Sequence, residues 1–416
     1  MPGFLQQFIT PIVKATKGKK VKTFFNLPEY EQWHESLGSS AKGWTTKYYK
    51  GLGTSTSAEA KEYFSHLEVH EINFGRLSED KGIKQDDLDT VLPDNVESGS
   101  DMIDLVFRKT RVDDRKRWLE TKISPDTFLD YSKITKTDGV RYSDFLNKEY
   151  ILFSAYDNIR SIPHVMDGFK PSQRKVLFGC LKRKLKGEVK VAQLTGYVAE
   201  HSAYHHGEQS LQGTIVAMAS NFVGSNNINL LTPSGQFGTR RMGGKDAASA
   251  RYIFTKLEPI TRTIFHPDDD ALLNYLKDDG AAIEPDFYVP VIPMLLVNGA
   301  EGIGSGWSCN IPNYSPRDII ANLRRMIHDE EVVPMHPHYY GFDGEVSNGV
   351  ILVDGTIILL SFECILTRYH AILYIFDRSC PRVPASTQSM ARLNAWTTRL
   401  LSFRNFPSRN GRRTTR

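Results

Sequence analysis

Cysteine is scarce in this chain of 416 residues: Cys180, Cys309, Cys364 and Cys380 are scattered, with no Cys-x-x-Cys pair. No histidine spacing beside them suggests zinc, so neither a disulfide scaffold nor a zinc ribbon is expected. Such usage points to free thiols in a reducing compartment. Long apolar runs are missing as well. The apolar stretches are too short or too interrupted to span a bilayer, and Met1 is followed by no signal-peptide run. We therefore expect a soluble intracellular chain with no membrane partner. Charge of one sign is not in excess either. A formal net charge of +4 is small for this length, so any surface for nucleic acid must be a local concentration of Lys and Arg. No Gly-x-x-x-x-Gly-Lys-Ser/Thr string occurs, which excludes a P-loop.

What is present is long enough for two to four domains and a buried core. Residues from Pro2 to about Leu67 read as mixed α/β, with a strand-like Val21–Phe25 and a capping-box signature, Thr56 with Glu59, before an Ala/Lys/Glu-rich helix. Ser78 to Asp101 is acidic and polar and reads as a linker or exposed hairpin, and Val112–Trp118 is charged and helical. Ser143 can cap a helix in which Phe145, Leu146, Tyr150, Phe153 and Ile159 recur at helical spacing, stopping before Pro163. Further apolar runs at Val176–Leu185, Glu208–Phe222 and Ala250–Leu257 are separated by Gly/Asn/Pro clusters. Three or so helices with short β segments fit a winged helix but also other small α/β folds. Ser315, Pro316 and Asp318 form a strong helix start, after which Ile319, Ile320, Leu323 and Ile327 share one face.

The most informative segment runs from Gly235 to Thr255, a Gly-rich basic stretch in which Tyr252 directly follows Arg251. A phenol can attack phosphorus only after losing its proton, and its ordinary pKa is about 10. Neighbouring cations stabilise the phenolate and hold a negatively charged phosphate, so Tyr beside Arg suits covalent phosphoryl transfer. Taken alone, an Arg-Tyr pair is almost always structural. An adjacent pair such as His205-His206 is by itself more often packing or surface, and Arg160, Lys170 and Arg174 around Pro163 and Pro171 more often a solvated loop.

Several separated stretches change that weighting: Tyr49-Lys-Gly-Leu-Gly-Thr-Ser-Thr56, Arg160-Ser-Ile-Pro-His-Val-Met-Asp-Gly-Phe-Lys170-Pro-Ser-Gln-Arg174-Lys175, Tyr204-His-His-Gly-Glu208, the Tyr252 segment, and Pro293 to Trp307. In order and spacing, from roughly Pro2 to Phe342, they resemble the breakage-reunion core of eukaryotic DNA topoisomerase II, a type IIA topoisomerase. The resemblance implies an α+β multidomain chain. Its expected parts are a partial Toprim α/β remnant over 1–78, a linker and charged helical segment over 79–141, a winged-helix domain carrying the nucleophile over 142–290, and the start of a tower domain over 291–355. It makes Tyr252 the nucleophile that becomes joined to a DNA 5′-phosphate, Arg251 its partner, and His206 a group that binds the scissile phosphate or assists proton transfer. Arg160, Lys170, Arg174, His205, Lys50, Gln236 and Lys245 become DNA contacts. Ile303 would insert between base pairs, although on spacing alone it could equally be core.

The family reaction, ATP-dependent passage of one duplex through a transient break in another, uses Mg2+ and ATP in a nuclear homodimer acting on double-stranded DNA. The acidic cluster that holds the metal lies in the family upstream of the segment matching Pro2. No metal ligands are therefore expected here, and binding sites for both cofactors are expected to be absent. The alternative expectation is thus a DNA-binding winged-helix remnant without turnover. Beyond about Phe342 the text changes character: the last lysine is Lys277, and from Arg368 on the basic residues other than histidine are all Arg. Residues 356–416 are expected to be a divergent, non-family tail without function. An Arg-rich strand adding nonspecific DNA affinity is the other reading.

Overall fold

The computed structural model describes residues 5–38, 43–49, 55–75, 99–124, 127–131, 134, 139–278, 281–344, 350–353 and 356–359. Lys50, most of the expected polar linker and the tail beyond residue 359 lie outside them. The chain is a mixture of helices and small antiparallel sheets. Among the described residues no helix is long and apolar enough to cross a membrane.

The first part is built on two sheets. β1 (Gln6–Phe8) pairs with β5 (Glu71–Asn73), while β2 (Val13–Lys17) lies between β3 (Lys20–Phe24) and β4 (Thr45–Tyr48). Alternation along β2 buries Val13 and Ala15 together with Phe24, and the rings of Tyr30 and Trp33 pack on Phe24. The Asn26 side chain accepts from the Glu29 amide and starts α1 (Leu27–Leu37). The capping box read from the sequence is present: Thr56 and Glu59 satisfy each other's amides at the start of α2 (Ser57–Ser65), which is followed by the short α3 (Leu67–His70).

Next, α4 (Gly99–Phe107) and α5 (Val112–Lys122) pack on a long helical run. This consists of α6 (Tyr142–Phe145), a π turn (Leu146–Tyr150) and α7 (Ile151–Ser161). The charged segment around Val112 is thus not a free helix, because Trp118 and Leu119 are buried with Met102, Val106, Leu146 and Ile151. Two expectations for the long run need correction. Arg141, not Ser143, stands at the N-cap. The expected apolar stripe also does not hold, because Phe153 and Ile159 face solvent. The π turn accommodates an extra residue and rotates everything beyond it by about 100° relative to an α-helix.

The largest core gathers α8 (Pro171–Lys182), α9 (Val191–His201) and α10 (Glu208–Ala219) against a three-stranded sheet. In that sheet β8 (Phe254–Leu257) lies between β6 (Val189–Lys190) and β7 (Leu231–Ser234). The same core continues past α11 (Thr261–Ile264) and the hairpin of β9 (Tyr275–Asp278) and β10 (Ala281–Pro285). It takes in Met294 and Leu295 of α12 (Met294–Val297), Ile311, and Ile319 of α13 (Pro316–Ile327). The hairpin of β11 (Ala300–Ile303) and β12 (Ser308–Ile311) projects between α12 and α13. In α13 the buried face is Ile319, Asn322 and Leu323; Ile327, expected to share it, is 72% exposed. A final hairpin joins β13 (Val350–Val353) to β14 (Thr356–Leu359).

One buried ion pair anchors the turn between α7 and α8. Asp167, without solvent exposure, accepts from Arg174 Nε at 2.8 Å and Nη2 at 3.1 Å. It also accepts from the amides of Phe169 and Tyr288, each at 3.0 Å. Between them, Gly168 has φ +73°, and a Cβ there would lie 2.7 Å from the Leu295 nitrogen. Asp167→Ala is expected to cost about 3–5 kcal/mol in denaturant unfolding, because it strands a buried guanidinium. A loss below about 1 kcal/mol would show that the pair does not hold this turn.

Candidate nucleic-acid interface

The turn fixed by Asp167 forms one wall of a cavity of about 1100 Å³. Arg160 at the end of α7, Lys170 and Lys175 at the start of α8, and His205 and His206 after α9 all line it, with Tyr156, Asp278, Glu284 and Trp307. Arg160 and both histidines are exposed, and Lys170 is half-buried. The sequence therefore named four residues that the fold does bring together: Arg160, Lys170, His205 and His206.

Arg174, named with them, has to be corrected. Only 6% exposed, its guanidinium is committed to Asp167 and to the Phe169 carbonyl, so it supports the turn and cannot meet a phosphate. Lys175 is likewise engaged, by Glu284 and by the Ser202 carbonyl. His205 pairs with Asp278 at 3.2 Å. His206 accepts or donates a hydrogen bond with the Tyr156 hydroxyl at 3.2 Å. Partial burial, and then the charges of Arg160, His205 and Lys175, hold its pKa below that of an ordinary histidine, which keeps the ring neutral at neutral pH.

Tyr252 lies elsewhere and does not line this cavity. Its segment leaves β7 through Gly235 and Gly238, both at positive φ, and a Cβ on Gly238 would come 2.5 Å from the Gly244 Cα. Asp246, to which no role could be given from sequence, closes the loop: its carboxylate accepts from the Thr239 amide at 2.9 Å and hydroxyl at 2.8 Å. Those bonds hold it below the usual carboxylate range. Gln236, Lys245 and Arg251 are exposed along this segment. Tyr252 is 71% exposed, while the next residue, Ile253, is buried in the main core and its carbonyl accepts from the Val191 amide. The phenol therefore projects from a fixed backbone.

Ile303 sits at the tip of the β11–β12 hairpin and is 73% exposed, so the core reading of this residue is overturned. The hairpin is docked on α7: a Cβ on Gly302 would lie 2.3 Å from the Ser161 carbonyl oxygen, and one on Gly304 2.1 Å from Asn158 Oδ1. Asn158 Nδ2 also donates to the Ser305 carbonyl.

Lys50 lies outside the described residues, but its flanks are tied to one carboxylate. Glu59 accepts from the Thr56 amide, the Tyr49 phenol and Lys47. The Thr56 amide first, and then the Tyr49 hydroxyl, lower the Glu59 pKa to about 2. Sequence reading found the capping box but not this second use of Glu59, nor Tyr156, whose position carries no motif signal. Among the described residues no three or more His, Cys, Asp or Glu converge as cation ligands. The described donors therefore do not fit a metal centre, and no chemistry is derived through one.

Two family profiles match consecutive parts of the chain: the C-terminal associated domain of TOPRIM over residues 8–158, and the A-type chain of DNA gyrase/topoisomerase IV over residues 160–357. The chain is 55% identical to DNA topoisomerase 2 of Arabidopsis thaliana over 348 residues, which is 83% of this chain and 22% of that protein. Against DNA topoisomerase 2-alpha of Cricetulus griseus the identity is 51% over 369 residues, 86% of this chain and 23% of that protein. The chain thus spans a little over a fifth of the length of these curated relatives. It also resembles the crystal structure of the Plasmodium falciparum topoisomerase II DNA-binding, cleavage and re-ligation domain. That likeness has TM-score 0.64 and 52% identity, covering 83% of this chain and 44% of that one.

The Glu59 clamp has a pH signature. Its folded pKa, about 2, lies below the ordinary glutamate value of about 4.3. The stabilisation is therefore complete above the ordinary value and is lost as pH falls toward about 2. Acid unfolding of Glu59→Gln is expected to be less steep across that window than that of the parent chain. Identical acid profiles would show that the clamp adds nothing.

Proposed function

Because the chain belongs, over the stretch it shares with those relatives, to the DNA topoisomerase 2 family, we propose that it grips duplex DNA and supplies the tyrosine that becomes joined to it. The observation that carries this reading is Tyr252, 71% exposed beside Arg251 on a loop pinned by buried Ile253. The phenolic oxygen attacks a backbone phosphorus, the bond from phosphorus to the 3′-oxygen breaks, and the 3′-oxygen leaves with the electron pair and takes up a proton. A 5′-phosphotyrosyl bond remains, and the reverse attack by the 3′-hydroxyl reseals the strand. Arg251 holds the phosphate and stabilises the phenolate.

On this reading Arg160 and Lys170 hold the DNA backbone beside His206, and Lys50, Gln236, Lys245 and His205 add contacts. Ile303, exposed at a rigid hairpin tip, wedges between base pairs. The three helices with β6–β8 form a winged helix within 142–290, preceded over 1–78 by the end of a Toprim domain and followed over 291–355 by the start of a tower domain. In the intact enzyme the setting is a nuclear homodimer, with Mg2+ serving cleavage and ATP serving strand passage.

Binding to duplex DNA should weaken steeply with salt, at about −0.9 in log–log slope per neutralised phosphate. Arg160→Ala and Lys170→Ala should each make that slope shallower by about one unit. An unchanged slope would take those side chains off the phosphate list. Tyr252→Phe should leave affinity nearly intact and abolish protein–DNA adducts trapped by denaturant after incubation with supercoiled DNA and magnesium. Gel shifts with no Tyr252-dependent adduct in the parent chain would favour a DNA-binding segment without turnover of its own.

A further inference from the structure

The imidazole of His206 is held from two directions. Tyr156, on α7, places its hydroxyl 3.2 Å from Nε2, and the Tyr204 ring meets the imidazole edge-on, with centroids 5.4 Å apart. Tyr156 is itself exposed and lines the same cavity as Arg160, Lys170 and His206. The contact therefore crosses from the helix that carries Arg160 to the loop between α9 and α10.

A neutral imidazole has one N–H and one bare nitrogen, and which nitrogen is bare depends on its partner. A phenol is a stronger donor than a neutral imidazole N–H, and the bare imidazole nitrogen is a stronger acceptor than a phenol oxygen. The favoured arrangement is thus O–H donating to Nε2, with the ring proton on Nδ1. Charged groups face the ring from each packed element: Arg160 on α7, Lys175 on α8 and His205 in its own loop. Glu284 of β10 pairs with Lys175, and Asp278 of β9 with His205, so acids offset part of that positive charge. The cations keep the free ring neutral.

We propose that Tyr156 is a positioning residue for His206: its phenol fixes the imidazole proton on Nδ1 and so presents an N–H donor to a DNA phosphate. This rests on the reading of the cavity as a phosphate site. A bound phosphate adds negative charge and favours imidazolium, so Nε2 takes a proton from solvent. The Tyr156 hydroxyl then turns from donor to acceptor, a change open to a hydroxyl but not to a donor-only side chain. One residue serves both protonation states.

The test is nitrogen-15 NMR of the histidines in the full chain, free and with a short duplex, with DNA affinity measured across pH. The free chain should show His206 as the Nδ1–H tautomer, and Tyr156→Phe, at an exposed site where folding is not threatened, should show a mixture. If DNA raises the His206 pKa by one unit, affinity should be about tenfold higher well below that pKa than well above it. The difference should shrink in Tyr156→Phe. A parent chain with its proton on Nε2, or a Tyr156→Phe chain with unchanged tautomer and pH profile, overturns the proposal. A Tyr156-dependent tautomer alongside unchanged DNA affinity in His206→Ala overturns it differently, by removing the phosphate from its premise while leaving the Tyr156–His206 coupling in place.

Discussion

The buried pair of Asp167 and Arg174 is the constraint on which the candidate interface depends. A carboxylate with no solvent contact is tolerable only when its lone pairs are filled, and here a guanidinium and two backbone amides fill them. Each donor comes from a different place in the chain: the turn itself, the first turns of α8, and Tyr288 beyond the β9–β10 hairpin. The same bonds that satisfy the charge therefore register these pieces against one another. Gly168 completes the arrangement, since its positive φ and missing Cβ let the turn close on Leu295.

From that fixed turn the electrostatics of the cavity follow. Arg160, Lys170, Lys175, His205 and His206 share its wall, and such a crowd of basic groups is costly without anions. The protein offsets part of it internally, with Glu284 on Lys175 and Asp278 on His205, and leaves His206 neutral. Arg160 and Lys170 remain to meet an external anion. The cavity is thus selective in which of its basic groups are available, which a count of charges would not reveal.

Tyr252 and Ile303 show a second design rule. Both are exposed, but each is carried by a backbone that cannot drift: Ile253 is locked in the core directly after the tyrosine, and Gly302 and Gly304 seat the hairpin against α7. Asp246 likewise commits its carboxylate to two hydrogen bonds that close the loop before Tyr252. Reactive or wedging side chains placed this way lose little additional freedom on meeting a ligand.

The sequence by itself determined the local structure and the residue types that matter. The Thr56–Glu59 capping box, the Ser315–Pro316 helix start and the apolar runs of the central helices depend on neighbours within a few positions, and they formed as read. The cluster of Arg160, Lys170, His205 and His206 was legible through motifs. Only the tertiary structure decided which of these groups are free. Arg174 and Lys175 differ from Arg160 in nothing a motif displays, yet Asp167 and Glu284, distant in sequence in the second case, neutralise them. The π turn before Ile151 shifted the phase of α7, turning Phe153 and Ile159 outward and bringing Tyr156 to His206. Ionic partners and helix phase are long-range properties, set by what packs on the far side of a residue, and periodicity along the chain does not contain them.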